Sequence, residues 1–477
     1  MKYRLIGKAA LVLLLVSGTA RLFAREARYV FLFIGDGMGF AQVQAAGLAR
    51  ASQGAGELCF TGFPVQGFVT THSASNDVTD SAAAGTALAA GEKTANGVLG
   101  LDAACKVPLV SVAERAKRAG CRVGVATSVA VNHATPAAFY AHRSAREGYY
   151  DIGLDALRAG FDIYAGAGFK EERRKGDPES PNLYDLFAGA GYRIVRGAGD
   201  FAAAADGAER VVFVQPDDAA NPSSLPPAAD RRAGDMTLEE ITAGCIGFLA
   251  RGKDGGRPPR FFLMVEGGII DWLCHANDTA AALAETCDLE RSVALALAFY
   301  RRYPDETLIV VTADHETGGL AVGRGETAPV SFDAAVRQTA SVIGVTLRLK
   351  ALRDARPGEM VPWDDVREVL RAGYGFWDGT QLTADEEALL KASYEESFRM
   401  QEGSLVRSLY YAVEPVADCA VKIVARRTGV VWGSGAHTAA AVPVYVLGAG
   451  AERFSALRDN TDIPRAIARA AGYPDAD

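Results

Sequence analysis

The stretch Tyr29-Val-Phe-Leu-Phe-Ile-Gly-Asp36-Gly-Met-Gly39 decides the fold that this sequence predicts. Its continuous apolar run is typical of a strand buried on both faces of a parallel sheet. The run ends in Gly-Asp-Gly, so the strand presents a carboxylate at its carboxyl end. The glycines partly match a dinucleotide-binding loop, but Phe40 replaces the final glycine and Asp36 would repel a pyrophosphate. We therefore interpret the stretch as a strand that delivers an acid.

Other apolar runs predict strands of the same kind: Arg122–Thr127, Val211–Gln215, Phe261–Val265, Thr307–Thr312 and Pro443–Leu447. Helical patterns lie between several of these runs, and a capping box at Thr237 begins one of them. The alternation predicts an α/β fold with a central, mostly parallel sheet flanked by helices. Four strands lead into an acid or a histidine, namely Asp36, Glu266, Asp314 and His133. Ligands in such folds gather at the carboxyl ends of strands, so we expect the site there.

The 477 residues are enough for one large domain with an insertion. We expect residues 25–330 and 431–477 to form the α/β catalytic domain. Residues 331–430 contain charged helical stretches and few strands, and we expect a helical insertion or cap there. The net charge of -8 argues against a nucleic-acid partner held by phosphate contacts.

The N-terminus predicts export. Lys2, Arg4 and Lys8 precede an apolar run, and small residues offer a cleavage site before residue 25. This pattern is typical of a signal peptide, which we expect to comprise residues 1–24. An uncleaved anchor is the alternative, although the run is short for a transmembrane helix. We expect a periplasmic or secreted protein with no membrane attachment after cleavage. The seven cysteines leave the disulfide pattern open, since an odd count leaves one unpaired within the chain.

The stretch Val78-Thr-Asp80-Ser81-Ala-Ala-Ala-Gly-Thr86 places one serine at the start of a small-residue helix. A serine hydroxyl is a weak nucleophile at neutral pH unless a base, a metal or a helix N-terminus activates it. The helix offers N–H groups and a positive dipole end to an anionic oxygen or a phosphate. No Ser-His-Asp pattern surrounds Ser81, so metal ions are the favoured activators.

Four of the six histidines lie in contexts that fit metal binding. Asp271 and His275 are four residues apart, so a helix would place both on one face. The other contexts are Asp314-His315 after a strand, His437 before the last strand, and His133 in Asn-His-Ala-Thr-Pro. Imidazole and carboxylate together suit zinc and related divalent ions.

These residues also have purely structural interpretations. Taken alone, Asp-x3-His on a helix is more often a surface or capping pair, and Asp-His after a strand can cap a turn. We expect His72 and His142 to stabilise loops or to sit at the rim of the site, and Cys274 to point away from the face that carries His275. The sequon at Asn277 is a glycosylation site by pattern only, because a glycan there would obstruct the expected metal site.

Together, six motifs in one order strongly resemble the alkaline phosphatases: Asp-Gly-Met-Gly, Thr-Asp-Ser-Ala-Ala-Ala-Gly-Thr, His-Ala-Thr-Pro, Glu-Gly-Gly-x-x-Asp-x3-His, Thr-Ala-Asp-His-Glu-Thr-Gly-Gly and Gly-x-His-Thr. The resemblance spans residues 28 to about 320 and resumes at about 430. It implies an exported, metal-dependent phosphomonoesterase that acts on small phosphate monoesters through a phosphoserine. It also allows a homodimer, because the family is usually dimeric.

The resemblance also implies a role for each matching residue. Ser81 is the nucleophile, and one zinc ion is bound by Asp271, His275 and His437. A second zinc ion is bound by Asp36, Asp314 and His315, and a third metal ion, magnesium in the family, by Asp36, Thr135 and Glu266. Arg146 matches the arginine that clamps phosphate, with Arg143 as the competing candidate. Asp80 either orients that arginine or caps the Ser81 helix.

Two positions depart from the best-known bacterial pattern. His133 replaces an aspartate near the third metal site, and Trp272 replaces a lysine after the zinc-binding aspartate. An imidazole favours zinc or cobalt over magnesium, so the third ion is Mg²⁺, Zn²⁺ or Co²⁺. Two alternative functions remain: a phosphodiesterase or sulfatase of the same superfamily, and an inactive exported protein that binds metal or phosphate. Ser81, Thr135 and Glu266 favour the monoesterase.

Overall fold

A computed structural model describes residues 26–217, 219, 221, 223–325, 330–399, 406–407 and 412–475. The predicted signal peptide lies outside the described residues. The strands are β1 (Tyr29–Gly35), β2 (Val65–Val69), β3 (Arg122–Thr127), β4 (Ile163–Gly166), β5 (Tyr192–Arg196), β6 (Arg210–Val214), β7 (Phe261–Gly267), β8 (Thr307–Thr312), β9 (Glu316–Thr317), β10 (Leu320–Val322), β11 (Val406–Arg407), β12 (Ala412–Val413), β13 (Val430–Trp432), β14 (His437–Thr438) and β15 (Val442–Gly448).

The α-helices are α1 (Phe40–Ser52), α2 (Ser81–Ala90), α3 (Val112–Arg118), α4 (Ala134–Ala137), α5 (Tyr149–Ala159), α6 (Leu183–Gly189), α7 (Phe201–Ala204), α8 (Leu238–Leu249), α9 (Ile269–His275), α10 (Thr279–Arg302), α11 (Asp333–Val336), α12 (Val342–Asp354), α13 (Trp363–Tyr374), α14 (Ala384–Arg399), α15 (Pro415–Thr428) and α16 (Asp462–Ala471). The capping box predicted at Thr237 is present at the start of α8. No helix in the described ranges is long and apolar enough to cross a membrane.

Nine strands form the central sheet, in the order β2-β15-β8-β1-β7-β3-β4-β6-β5. All pairings are parallel except those of β15, which runs antiparallel to both of its neighbours. Every residue of β1, β7 and β8 is buried, as expected for strands covered on both faces. The predicted mostly parallel α/β sheet is therefore confirmed, and β2, β4 and β5 are strands that the sequence patterns did not predict.

The four strands that lead into acids or histidines are neighbours in the middle of the sheet. Their order is β8-β1-β7-β3, and their parallel pairing brings their carboxyl ends to the same edge. The residues at or beyond those ends are Asp314, Asp36, Glu266 and His133. The topology thus brings together side chains that are nearly 280 residues apart in the chain.

Helix α2 packs closely against α4 at this edge. A methyl group on Gly85 would lie 3.1 Å from Cβ of Ala138 and 3.3 Å from Cα of Thr135, which is tighter than ordinary van der Waals contact. Gly85 therefore allows the helix that begins at Ser81 to approach the segment that carries His133.

Residues 331–430 contain helices α11 to α15 and the short hairpin β11–β12 in their described parts. Helix α15 packs against α10 of the α/β region, and its apolar side chains join the same hydrophobic core. Whether this segment is a separate insertion or a cap stays a prediction.

Candidate active site

The first donor group combines Asp271, His275 and His437. Helix α9 places Asp271 and His275 one turn apart, with His275 Nε2 3.4 Å from an Asp271 carboxylate oxygen. His437 Nε2 lies 3.1 Å from His275 Nε2 and 3.6 Å from the other Asp271 oxygen. The Nδ1 atoms of His275 and His437 face the carbonyls of Gly435 and Thr79 at 2.8 and 2.9 Å. Donation from Nδ1 leaves each Nε2 lone pair directed at the space between the three side chains.

The second group combines Asp36, Asp314 and His315, all completely buried. His315 Nε2 lies 3.2 Å from Asp314 Oδ2 and 3.4 Å from Asp36 Oδ1. The hydroxyl of Ser81 lies 3.2 Å from the same nitrogen. Ser81 is the first residue of α2 and is itself fully buried. The serine and the second group thus occupy one small volume at the positive end of a helix.

The third group shares Asp36 with the second and adds His133 and Glu266. In each of the three groups, the ligand atoms lie within 4.8 Å of one another. The Thr135 hydroxyl donates to Asp36 Oδ2 at 3.3 Å, and the Thr127 hydroxyl donates to Glu266 Oε2. The structure therefore brings together the predicted metal-site residues at the sheet edge. It also places His133 in the third group.

Four carboxylates in these groups each have one oxygen that accepts no hydrogen bond from the described residues, namely Asp36 Oδ1, Glu266 Oε1, Asp271 Oδ2 and Asp314 Oδ2. A buried anion without a partner is expensive, whereas a divalent cation satisfies several such oxygens at once. Burial and carboxylate repulsion raise the pKa of Asp36 and Asp314, and burial raises that of Glu266 to about 7. The donor set and its electrostatics therefore fit metal ions.

The imidazoles of His133 and His315, in the two fully buried groups, are also suited to metal binding. Burial lowers the pKa of His133 to about 3, and burial with the nearby His437 lowers that of His315. Both rings are therefore neutral at physiological pH, which is the form that binds metals. The His133 ring packs edge-on against Trp272, with ring centroids 5.7 Å apart.

Arg146 faces Asp80 at the start of the Ser81 helix, with Nη1 3.0 Å from Asp80 Oδ2. The other oxygen of Asp80 accepts from the backbone N–H groups of Ala83 and Gly97. Asp80 therefore both caps α2 and holds the arginine, so the two alternatives for this residue are not exclusive. Arg143 instead binds both oxygens of Asp155, each at 2.7 Å. The geometry thus favours Arg146 as the guanidinium beside Ser81.

The remaining sequence candidates lie outside the three groups. His72 Nδ1 is 3.7 Å from Asp459, and His142 Nδ1 faces the Gly100 carbonyl at 2.7 Å, so both contact loops as expected. Cys274 is buried and belongs to none of the donor groups. All seven cysteines lie in described residues, and each is a thiol.

Sequence reasoning missed Thr317 and Glu316. The Thr317 hydroxyl donates to Asp271 Oδ1 at 2.5 Å and lies 3.2 Å from His315 Nδ1, so it connects the first group to the second. Glu316 lies on the opposite side of the same short strand, β9. Both residues follow His315 directly within a recognised motif, and this position was the only sequence signal for them.

Three donor groups, two of them fully buried, lie beside a serine on the carboxyl edge of a parallel sheet, and this arrangement is that of a metal-dependent hydrolase. The alkaline phosphatase family model matches residues 27–172 and 170–473, nearly all of the described chain. Alkaline phosphatase 4 of Bacillus subtilis (strain 168) is 32% identical over 456 residues, which cover 92% of this chain and 87% of that protein. The chain therefore belongs to the alkaline phosphatase family, whose members hydrolyse phosphate monoesters.

Solved structures agree with this assignment. The crystal structure of Thermus thermophilus alkaline phosphatase superposes with a TM-score of 0.77 at 28% identity, covering 94% of this chain and 92% of that one. A cold-active alkaline phosphatase from a psychrophilic Shewanella species gives a TM-score of 0.76 at 27% identity, covering 94% of this chain and all of that one.

Proposed function

We propose that the chain is an exported alkaline phosphatase that hydrolyses phosphate monoesters through a covalent phosphoserine at Ser81. It would use two zinc ions and a third divalent metal ion. The observation that carries the proposal is the placement of the buried Ser81 hydroxyl at a helix N-terminus and beside His315, with Arg146 paired to the preceding residue, Asp80.

The donor groups supply a distinct ligand set for each metal. Asp271, His275 and His437 would hold one zinc ion, and Asp36, Asp314 and His315 would hold the other. When bound, such ions lower the pKa of a nearby hydroxyl or water and neutralise a departing alkoxide.

The third group would hold a divalent ion through Asp36, Glu266 and Thr135. His133 belongs to the same group, and its neutral imidazole supports zinc or cobalt rather than magnesium there. Metal analysis after dialysis against each of the three ions tests this assignment. Retention of magnesium alone at the third site would contradict it.

Ser81, helix α2 and Arg146 would each have a separate role in the reaction. The Ser81 oxygen attacks phosphorus as the bond from phosphorus to the alcohol oxygen breaks, and the alcohol leaves with the proton that the serine loses. Water then attacks phosphorus and displaces Ser81, so that inorganic phosphate leaves and the serine oxygen regains a proton. Helix α2 directs its N-terminal end at the phosphoryl group. The planar guanidinium of Arg146 binds two phosphate oxygens at once, and Asp80 holds it in that orientation.

The decisive experiment compares hydrolysis of p-nitrophenyl phosphate with that of bis-p-nitrophenyl phosphate by zinc-loaded protein. We expect strong preference for the monoester, because Arg146 and the helix N-terminus are suited to a dianionic phosphate. Preference for the diester would support the phosphodiesterase alternative instead. Tight zinc binding without turnover of either substrate would support the inactive binding protein.

The apolar N-terminal segment supports export. Its test is the N-terminal sequence of the protein recovered from the periplasm or medium of an expressing cell. Cleavage before residue 25 is expected, and full-length protein in the cytoplasm would contradict export. A homodimer is proposed from the family alone, and sedimentation analysis tests it.

A further inference from the structure

Two short strands align residues of the candidate site on one face and their supports on the other. Strands β9 and β14 pair antiparallel, with His437 opposite Thr317 and Thr438 opposite Glu316. Side chains alternate along strands, so Thr317 and His437 share a face while Glu316 and Thr438 share the reverse face. The first face meets Asp271, since Thr317 donates to that carboxylate and His437 lies 3.6 Å from it.

On the reverse face, Glu316 is a buried carboxylate with a complete set of hydrogen bonds. Its Oε1 accepts from the Gln42 side-chain amide at 2.7 Å and from the Leu320 N–H at 3.3 Å. Its Oε2 accepts from the Gly319 N–H at 3.1 Å and from the Thr438 hydroxyl. Within the described residues it makes no ion pair, so neutral donors alone stabilise its charge.

These contacts join three of the segments that carry histidine and carboxylate ligands. Gln42 lies on α1, which follows the Asp36 loop, and its amide also donates to the Thr317 carbonyl at 2.8 Å. A methyl group on Gly39, in that same loop, would collide with the Glu316 side chain. One carboxylate thus connects the Asp36 segment, the strand after His315 and the strand of His437.

We propose that Glu316 is a positioning residue that holds His437 against Asp271 and His275 by fixing Thr438 from behind the β9–β14 ladder. The inference rests on the proposed function in taking these three side chains as metal ligands. Partners behind the first ligands set ligand orientation and change metal affinity strongly when removed. Because the bond to Thr438 acts on the strand of His437, its loss would affect the Asp271, His275 and His437 site more than the other zinc site.

A glutamine at position 316 cannot make all of the hydrogen bonds that Glu316 accepts. In Glu316→Gln one carboxylate oxygen becomes an NH2 group, which cannot accept from the two donors that face it. The Thr438 hydroxyl can rotate to accept instead of donate, but the Gly319 N–H cannot. Glutamine therefore either loses Gly319 on the Thr438 side or loses Gln42 and Leu320 on the other.

The test measures zinc affinity in the full-length holoenzyme by competition with a chromophoric chelator. We expect Glu316→Gln to weaken one class of zinc by about 10- to 100-fold. Thr438→Val, which keeps the charge and removes the hydroxyl, should weaken the same class, and Thr438→Ser should restore it. The double variant Glu316→Gln/Thr438→Val should weaken zinc binding by less than the product of the two single effects, because both changes act through the contact between positions 316 and 438.

Two controls separate positioning from other effects. Glu368→Gln removes an acid that pairs with Arg371 on the exposed face of helix α13, and it should leave zinc affinity unchanged. Cobalt-substituted Glu316→Gln should show an altered visible absorption spectrum for the weakened class, which a general loss of stability would not produce. If Glu316→Gln fails to fold, the two Thr438 variants decide the matter.

Wild-type zinc affinity in Thr438→Val, with weak affinity only in Glu316→Gln, would assign the effect to charge and overturn the positioning role. Unchanged affinity in both variants, or equal weakening of every zinc class, would overturn it as well. The proposed function fails separately: it fails if the zinc-loaded wild type does not hydrolyse p-nitrophenyl phosphate, whatever the variants show.

Discussion

Two regions of this chain contain buried carboxylates, and they differ in how many of the carboxylate oxygens accept hydrogen bonds. In the candidate active site, Asp36, Glu266, Asp271 and Asp314 each keep one oxygen without a hydrogen bond from the described residues. At the junction between α10 and α12, both oxygens of Asp278 accept, from the Gln338 amide at 2.7 Å, the Ala281 N–H at 3.2 Å and the Val342 N–H at 2.7 Å.

The comparison separates two uses of a buried charge. Burial of an unpaired carboxylate destabilises the fold, so several such groups around one space are best explained by cations that complete them. A carboxylate with all its oxygens satisfied needs no cation and serves to join elements. We therefore expect changes at the site to affect chemistry and metal binding, and changes at the junction to affect stability.

The largest effect is expected from Ser81→Ala. Loss of the nucleophile should lower kcat for p-nitrophenyl phosphate by on the order of 10³- to 10⁶-fold and abolish the phosphoenzyme. Zinc content should remain close to wild type, because the histidines and carboxylates of the three donor groups are unchanged in this variant. Rapid-quench labelling with [³²P]phosphate ester and metal analysis check the two parts. Labelled protein or full activity in this variant would contradict the mechanism.

Arg146→Ala tests the guanidinium that pairs with Asp80, next to Ser81. Loss of the guanidinium should lower kcat/KM for the monoester by about 10²- to 10³-fold, as removal of a charge-stabilising donor commonly does. Inhibition by inorganic phosphate should weaken in parallel.

Arg143→Ala is the matched control for that variant, since this arginine binds Asp155 and lies in the same loop. It should lower the free energy of unfolding while leaving kcat/KM close to wild type. The reverse pattern, with Arg143 essential and Arg146 dispensable, would show that Arg143 is the residue that clamps phosphate.

Asp278→Asn tests the junction side of the comparison. Burial raises the pKa of Asp278 to about 6, above its ordinary value of 3.8. The folded chain then holds this proton to higher pH than the unfolded chain does. The corresponding stabilisation is complete below about pH 4 and is lost as pH rises through 6, by roughly 3 kcal/mol in all.

In Asp278→Asn this part of the pH dependence should disappear, so the unfolding free energy changes less between pH 4 and 6. Urea unfolding of zinc-loaded protein across that range measures it, with Glu368→Gln as the exposed control. The kcat of Asp278→Asn at saturating zinc should stay close to wild type. If the unfolding free energy of the variant depends on pH as in the wild type, or if kcat falls sharply, the proposed difference between the two regions would be wrong.

The sequence predicted the site edge well because each apolar run ends where its acid begins, as at Asp36 and Asp314. The helical spacing of Asp271 and His275 is equally local. The choice between Arg143 and Arg146 was not local, since it depends on which acid each one meets after folding. Thr317 and Glu316 escaped for the same reason: their partners Asp271 and Thr438 lie 46 and 122 residues away in the chain.

The smallest effect is expected at Thr317. Its partner Asp271 combines both uses of a buried carboxylate, since one oxygen is hydrogen-bonded and the other accepts no hydrogen bond from the described residues. Asp271 keeps one oxygen for the candidate metal site, while the Thr317 hydroxyl occupies the other and also faces His315 Nδ1. Thr317→Val keeps the shape but leaves an Asp271 oxygen and the His315 Nδ1 proton without this partner. Zinc affinity should fall by about 10-fold and Thr317→Ser should restore it, as chelator competition measures. Because Thr317 contacts Asp271 of the first group and His315 of the second, both zinc classes should weaken together, in contrast to Glu316→Gln. Weakening of one class alone would show that the hydroxyl supports Asp271 and leaves His315 to its other neighbours.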